Sequence, residues 1–168
     1  MAWIDLNGPV LADTVYDAGK LVAKDVTITL PAINLLTADF KAMGTLTLPI
    51  IGQIEAMEAT VNKVGTDMGL RSMASLDSRT LEFRWVQDVK KADGSTKTVG
   101  CKAFLRVVTK TIPGLSVDPG SQSENELGYA VSRYQLFVDG TEYWLIDQLN
   151  QILRIGGKDY YKQIRSLL

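Results

Sequence analysis

The chain contains no histidine. This removes the commonest general base, the commonest metal ligand and every nucleophile that relies on an imidazole partner. There is one cysteine, Cys101, so no disulfide can form within the chain. Its place in an alternating segment reads as a buried strand residue rather than a reactive thiol. Apolar runs are short. Leu48-Pro49-Ile50-Ile51 is among the longest, far below the roughly 20 residues that span a bilayer as a helix. Neither sign of charge is in surplus: 18 basic against 19 acidic residues give a net charge of −1. With no excess of cations to neutralise phosphates, a sequence-independent nucleic-acid binder is not expected. The start, Met1-Ala2-Trp3-Ile4-Asp5, lacks a basic segment followed by an apolar run and a small-residue cleavage site. The expectation is synthesis in the cytosol without a signal peptide.

At 168 residues, 46% hydrophobic and 22% charged, the chain has the apolar mass for one globular domain spanning residues 1–168 around one core. Among the residues left for catalysis, spacing forms no recognisable set. Glu55 and Glu58 stand an odd number of positions apart, which on a strand sends them to opposite faces. Gly156-Gly157-Lys158 lacks the upstream glycine and the Ser or Thr of a phosphate loop, and reads as a turn. No catalytic, cofactor or metal site is expected, and the chain is read as a non-enzyme.

The periodicity is that of strands with short helical interludes. Residues 1–20 are weakly patterned and read as an extended lead-in. A strand is predicted over 21–30, ended by Pro31, with Val26, Ile28 and Leu30 on one face. A long hairpin follows over 40–64, its arms at 40–48 and 53–64 joined by Pro49-Ile50-Ile51-Gly52. On the first arm Phe40, Leu46 and Leu48 share a face; on the second, Met57, Ala59 and Val61 do. An apolar tip is unusual, since hairpin tips are normally polar. Either it folds back on its own core, or it projects into a neighbouring subunit. The candidate interface residues are Leu46, Leu48, Pro49, Ile50, Ile51 and Met57.

Residues 66–75 read as a short helix capped by Thr66, with Leu70, Met73 and Leu76 as its buried stripe and Gly69 as a cost of about 1 kcal/mol. A second hairpin is predicted over 79–90 and 96–112, turned at Ala92-Asp93-Gly94-Ser95. Lys102, Arg106 and Lys110 form a basic row on its second strand. Without a compact aromatic platform beside it, the row reads as a solvated or intersubunit face. Residues 113–126 form a surface loop. Strands at 127–138 and 141–147 flank the Asp139-Gly140 turn. The segment 158–168 is predicted to be a short helix, either capping an open end of the fold or making an axial contact.

The closing stretch from Val138 to Leu168, VDGTEYWLIDQLNQILRIGGKDYYKQIRSLL, closely resembles the C-terminal end of the major tail tube proteins of contractile-tailed phages and phage-tail-like (R-type) bacteriocins. Asp139, Gly140, Asp147, Asn150, Gly157 and Asp159 carry the likeness. GTLTLPIIGQIEAMEATV at 44–61 resembles the long hairpin of that family, and VTITLPAI at 26–33 its first strand. The first twenty residues depart from the pattern.

The strand pattern adds up to a mainly β fold, of two packed sheets or a partly open barrel of about seven or eight strands, with one short helix and a short C-terminal helix, and the resemblance favours a projecting hairpin. It implies hexameric rings stacked into an inner tail tube, a conduit for DNA delivery or membrane penetration inside a contractile sheath. The partners would be further copies of the chain, the tail sheath protein, the tape measure protein and the baseplate or tube initiator. DNA would pass through the lumen without specific binding, and the location would be the virion tail or bacteriocin particle, assembled in the host cytoplasm. A tube protein of a type VI secretion system, and a small-ligand β-barrel, are the alternatives.

Overall fold

A computed structural model describes residues 5–168; residues 1–4, on which most of the signal-peptide reading rests, lie outside it. Twelve strands and two short helices follow in the order β1 (Leu6–Asp17), β2 (Lys20–Lys24), β3 (Thr27–Thr29), β4 (Leu35–Lys41), β5 (Thr45–Ile54), β6 (Met57–Val64), α1 (Met68–Met73), β7 (Arg79–Lys90), β8 (Thr96–Thr111), β9 (Glu124–Val138), β10 (Thr141–Asp147), β11 (Ile152–Ile155), β12 (Lys158–Asp159) and α2 (Lys162–Leu167). Neither helix is long and apolar enough to cross a membrane.

Ten of the described strands form one antiparallel sheet, eight of them in the order β12-β11-β10-β9-β8-β7-β1-β2 with β6 and β3 as a branch, and β4 with β5 forms a separate two-stranded sheet. The large sheet is not closed into a barrel. It divides at β9, whose first half pairs with β6 and whose second half pairs with β10, while β8 runs along the other edge. β3 extends the β6 branch.

The core follows the alternation of β-strands. Met57, Ala59 and Val61 of β6, Leu81 and Phe83 of β7, and Ala103, Leu105 and Val107 of β8 are all buried in one cluster, as their period of two requires. Cys101 is buried beside Val99 and Val89, as its strand setting predicted. On β9 the inward set is Leu127, Tyr129 and Val131, then Tyr134 and Leu136. A register shift opposite Arg106 and Val107 moves the phase by one residue there, which is what a β-bulge does.

Several segments differ from the sequence reading. The lead-in is β1, a full strand paired with both β7 and β2. Three register irregularities, between Asn7 and Val10, Val10 and Ala12, and Val15 and Tyr16, erase its alternation. The predicted strand at 21–30 is two strands, broken at Asp25 with φ of 53°. Asp67, not Thr66, caps α1, its carboxylate accepting from the Leu70 amide at 3.0 Å. Of the predicted stripe, Leu70 and Met73 are buried and Leu76 is exposed. β9 begins at Glu124, inside the segment read as loop, because Asn125 is buried and donates through Nδ2 to the Gly65 carbonyl at 2.8 Å. The C-terminal helix buries none of its own residues.

Gly69 has a packing reason. A β-carbon there would overlap the Val22 carbonyl oxygen, so glycine lets α1 lie directly on β2.

Candidate assembly interface

The long hairpin runs from Leu35 to Ile54 and turns at Ala42-Met43-Gly44, where Met43 and Gly44 have φ of 50° and 120°. This corrects the predicted hairpin over 40–64. Pro49-Ile50-Ile51-Gly52 is not a tip but part of β5, opposite Leu35 and Thr37 across an irregular register. β6 pairs with β3 and β9 instead. The physical reason is competition between turns: Met43-Gly44 supplies consecutive positive φ, whereas Pro49 and the β-branched isoleucines favour extended backbone.

The hairpin is two-faced. Cross-strand partners lie on the same side of an antiparallel pair, so Phe40 with Leu46 and Ala38 with Leu48 make one apolar face. The other face carries Lys41 with Thr45 and Asp39 with Thr47, and Thr47 Oγ1 donates to Asp39 Oδ1 at 2.7 Å. Phe40, Leu46, Leu48, Ile50 and Ile51 are all exposed, as is Pro49. Met57 is not: it is 2% exposed on β6, in the core, and so is withdrawn from the candidate interface. An isolated two-stranded hairpin is marginal in water. The exposed apolar face of this one makes it a candidate contact surface.

The C-terminal segment meets the base of this hairpin. Asp147, buried at the end of β10, accepts from the Leu149 and Asn150 amides at 3.1 Å each and from Asn150 Nδ2 at 2.7 Å; Arg133 Nε stands 3.7 Å away. The loop so formed lets Gln148 Nε2 donate to the Ile54 carbonyl at 3.3 Å. Asp159 accepts from the Tyr161 amide at 3.0 Å and from Arg165 at 2.8 Å, and Arg165 also donates to the Gln151 carbonyl at 2.7 Å. The hydrogen bond from Arg165 is the main reason the Asp159 carboxyl titrates below its ordinary value. Arg154 likewise holds the Glu142 carboxyl low, with contacts at 2.7 and 3.1 Å.

The residues singled out by sequence therefore separate into groups. Asp147, Asn150 and Asp159 gather near the hairpin base. Gly157 lies in the β11–β12 turn, with φ of 83°. Asp139 and Gly140 form the β9–β10 turn, with φ of 51° and 77°, and Asp139 pairs with Lys97 at 2.7 Å. Sequence reasoning did not connect Gln148 or Tyr161 with the hairpin, because their contacts with Ile54 and Gly52 join segments about a hundred residues apart. The basic row on β8 does face outward, but acids interrupt it: Lys110 pairs with Glu58, and Glu82 lies opposite Phe104 and pairs with Arg84.

The centre of the fold is filled by side chains, the largest fully buried being Tyr129, Phe83, Met57 and Met73. Among the described residues no group of histidine, cysteine or carboxylate side chains is arranged to hold a metal. Compared with known families, residues 12–168 match the model of phage tail tube protein FII. No curated protein matches the chain.

Proposed function

The chain belongs to the phage tail tube protein FII family, a structural component of the virion tail, and we propose that its copies form hexameric rings that stack into the inner tube of a contractile tail. The observation that carries this reading is the β4–β5 hairpin, detached from the main sheet and apolar on one exposed face. Covering the exposed half of each of Phe40, Leu46, Leu48 and Ile50 against a neighbouring subunit would contribute about 1 kcal/mol per side chain. A heterologous contact of this kind, repeated by rotation, closes a ring.

The open edges of the large sheet support the same reading. Among the described residues, β2 at one end and β12 at the other have unpaired outer edges, and exposed edges invite pairing with another chain. Pairing between copies would give a stiff wall that moves as a rigid body when the surrounding sheath contracts. The tape measure protein and a baseplate or tube initiator would be its further partners. A net charge of −1 suits a conduit through which DNA passes without being gripped, because each phosphate contact would add a salt-dependent hold.

Negative-stain electron microscopy of the purified protein over a range of concentrations tests the assembly. Rings or tubes with a central channel are expected; monomers at every concentration, even with a tube initiator added, would refute the reading. DNA binding that weakens steeply with salt would refute the free-passage lumen.

A further inference from the structure

The geometry points to a second role for the C-terminal segment: Tyr161 and the loops around it form a clasp that sets the direction of the β4–β5 hairpin. This rests on the reading of that hairpin as the contact between subunits. Among the described residues the hairpin pairs with no strand of the main sheet, so its direction depends on what grips its base. The Glu55 amide donates to the Asn34 carbonyl at 2.9 Å and closes the two arms on each other, and one hydrogen bond, from Gln148 to the Ile54 carbonyl, ties that base to the body. The second grip is the Tyr161 ring. It packs against the core and lies on the backbone of Gly52, so closely that a β-carbon at residue 52 would overlap ring carbons Cδ2 and Cε2.

Gly52 also has φ of 87°, a conformation that side chains other than glycine's rarely adopt. The ring and the bare backbone thus fit each other at the point where the hairpin leaves the body. Tyr161 is itself held from three sides. Asp159 accepts from its amide, its carbonyl accepts from the Arg165 amide at 2.9 Å, and the preceding Tyr160 amide donates to the Leu153 carbonyl at 2.8 Å. Arg165 then ties Asp159 to the Gln151 carbonyl and closes the loop. The motif that carried the C-terminal resemblance has a mechanical use here, since it builds the seat for the ring.

Tyr161 is accordingly a positioning residue, which acts by restricting the angles the hairpin samples. If a free subunit presents the hairpin correctly for only a tenth of the time, the concentration needed for assembly rises about tenfold.

The test uses spin labels at Met43→Cys and Lys102→Cys in a Cys101→Ala background, with the distance distribution read on the monomer at low concentration. The same chains without labels are scored for assembly by sedimentation and electron microscopy. Tyr161→Ala is expected to broaden the distribution and to raise the assembly concentration about tenfold, with near-ultraviolet circular dichroism unchanged. Gly52→Ala, which displaces the ring from the other side, is expected to do the same. Tyr161→Phe keeps the ring and is expected to behave as the parent. An unbroadened distribution in Tyr161→Ala would overturn the clasp. Broadening without any change in assembly would overturn its role in assembly. The double variant Leu46→Ser, Leu48→Ser separates this from the hairpin contact: if it assembles normally with a narrow distribution, the contact is wrong and so is the use assigned to the clasp.

Discussion

The Tyr129 hydroxyl, carried on β9 in the middle of the main sheet, donates to the Met73 carbonyl at the end of α1 at 2.9 Å. Both residues are fully buried. Met73 also accepts from Arg79 and from Thr109 Oγ1, the latter at 3.3 Å. The last turn of a six-residue helix, whose carbonyls have no helical partners, is thereby anchored to β7, β8 and β9.

Tyr129→Phe should therefore cost about 1 kcal/mol, the net worth of one hydrogen bond to an acceptor that keeps other donors. Arg79→Ala should cost more. Arg79 is also ion-paired with Asp17 at 3.3 Å, and its loss leaves that mostly buried carboxylate without its cation. Urea unfolding at neutral pH would measure both, and equal costs would contradict the anchoring scheme.

Gly69→Ala is predicted to destabilise the fold although alanine is the better helix former. The gain in helix propensity is about 1 kcal/mol. The β-carbon, however, meets the Val22 carbonyl, and overpacking of that kind costs about 1–3 kcal/mol. A lower thermal midpoint is expected; a higher one would mean that α1 can move away from β2 freely.

Burial separates stability from assembly along the chain. Met57→Ala should cost about 2–5 kcal/mol, as deletion of a fully buried core side chain does. Leu48→Ala, on the exposed hairpin, should change stability by no more than about 0.5 kcal/mol while weakening ring formation. Unfolding curves and micrographs of the two variants should rank in opposite order.

Acid should loosen the C-terminal segment. The Glu142 and Asp159 carboxyls are held below their ordinary values chiefly by Arg154 and Arg165. A carboxyl with a depressed folded value contributes stability above its unfolded value, near 4, and loses it as the pH falls through the folded value. Nuclear magnetic resonance of residues 147–168 should report loss of order as the pH falls below about 4, ahead of β8. Simultaneous loss in both would place the acid-sensitive groups elsewhere.

At high pH the sign reverses. Burial pushes the Tyr134 hydroxyl up to about 12 and the Tyr129 hydroxyl further still. Stability from these neutral phenols is complete below the ordinary value of 10.0 and falls as the pH rises through 12. Ultraviolet titration should show these two tyrosines ionising late, or only together with unfolding. Tyr134→Phe should make unfolding less alkali-sensitive.

Much of the fold was legible in local pattern. The strand at 79–90 has the bounds read from its alternation, and Met57, Ala59 and Val61 point inward together as their spacing required. The Asp139-Gly140 turn followed from a dipeptide suited to positive φ. β1 escaped because its bulges break the period of two, and Asn125 because a buried amide in a polar loop sequence gives no sign of its partner sixty residues away.

The hairpin divides what the sequence by itself determined from what only the tertiary structure decided. Composition and alternation determined a strand-rich chain with an apolar stretch near residue 50, no imidazole chemistry and turns at Asp139-Gly140 and Asp93-Gly94, because such features depend on a residue and its near neighbours. Where the hairpin turned, which strand Met57 joined and what lay against Gly52 were settled by pairing between distant segments. The sequence reading ran an arm through Met43-Gly44 and turned at Pro49-Ile50-Ile51-Gly52; in the fold the turn is at Met43-Gly44, whose positive φ values suit it, and β6 is free to pack Met57, Ala59 and Val61 against β9, which leaves Phe40, Leu46 and Leu48 outside.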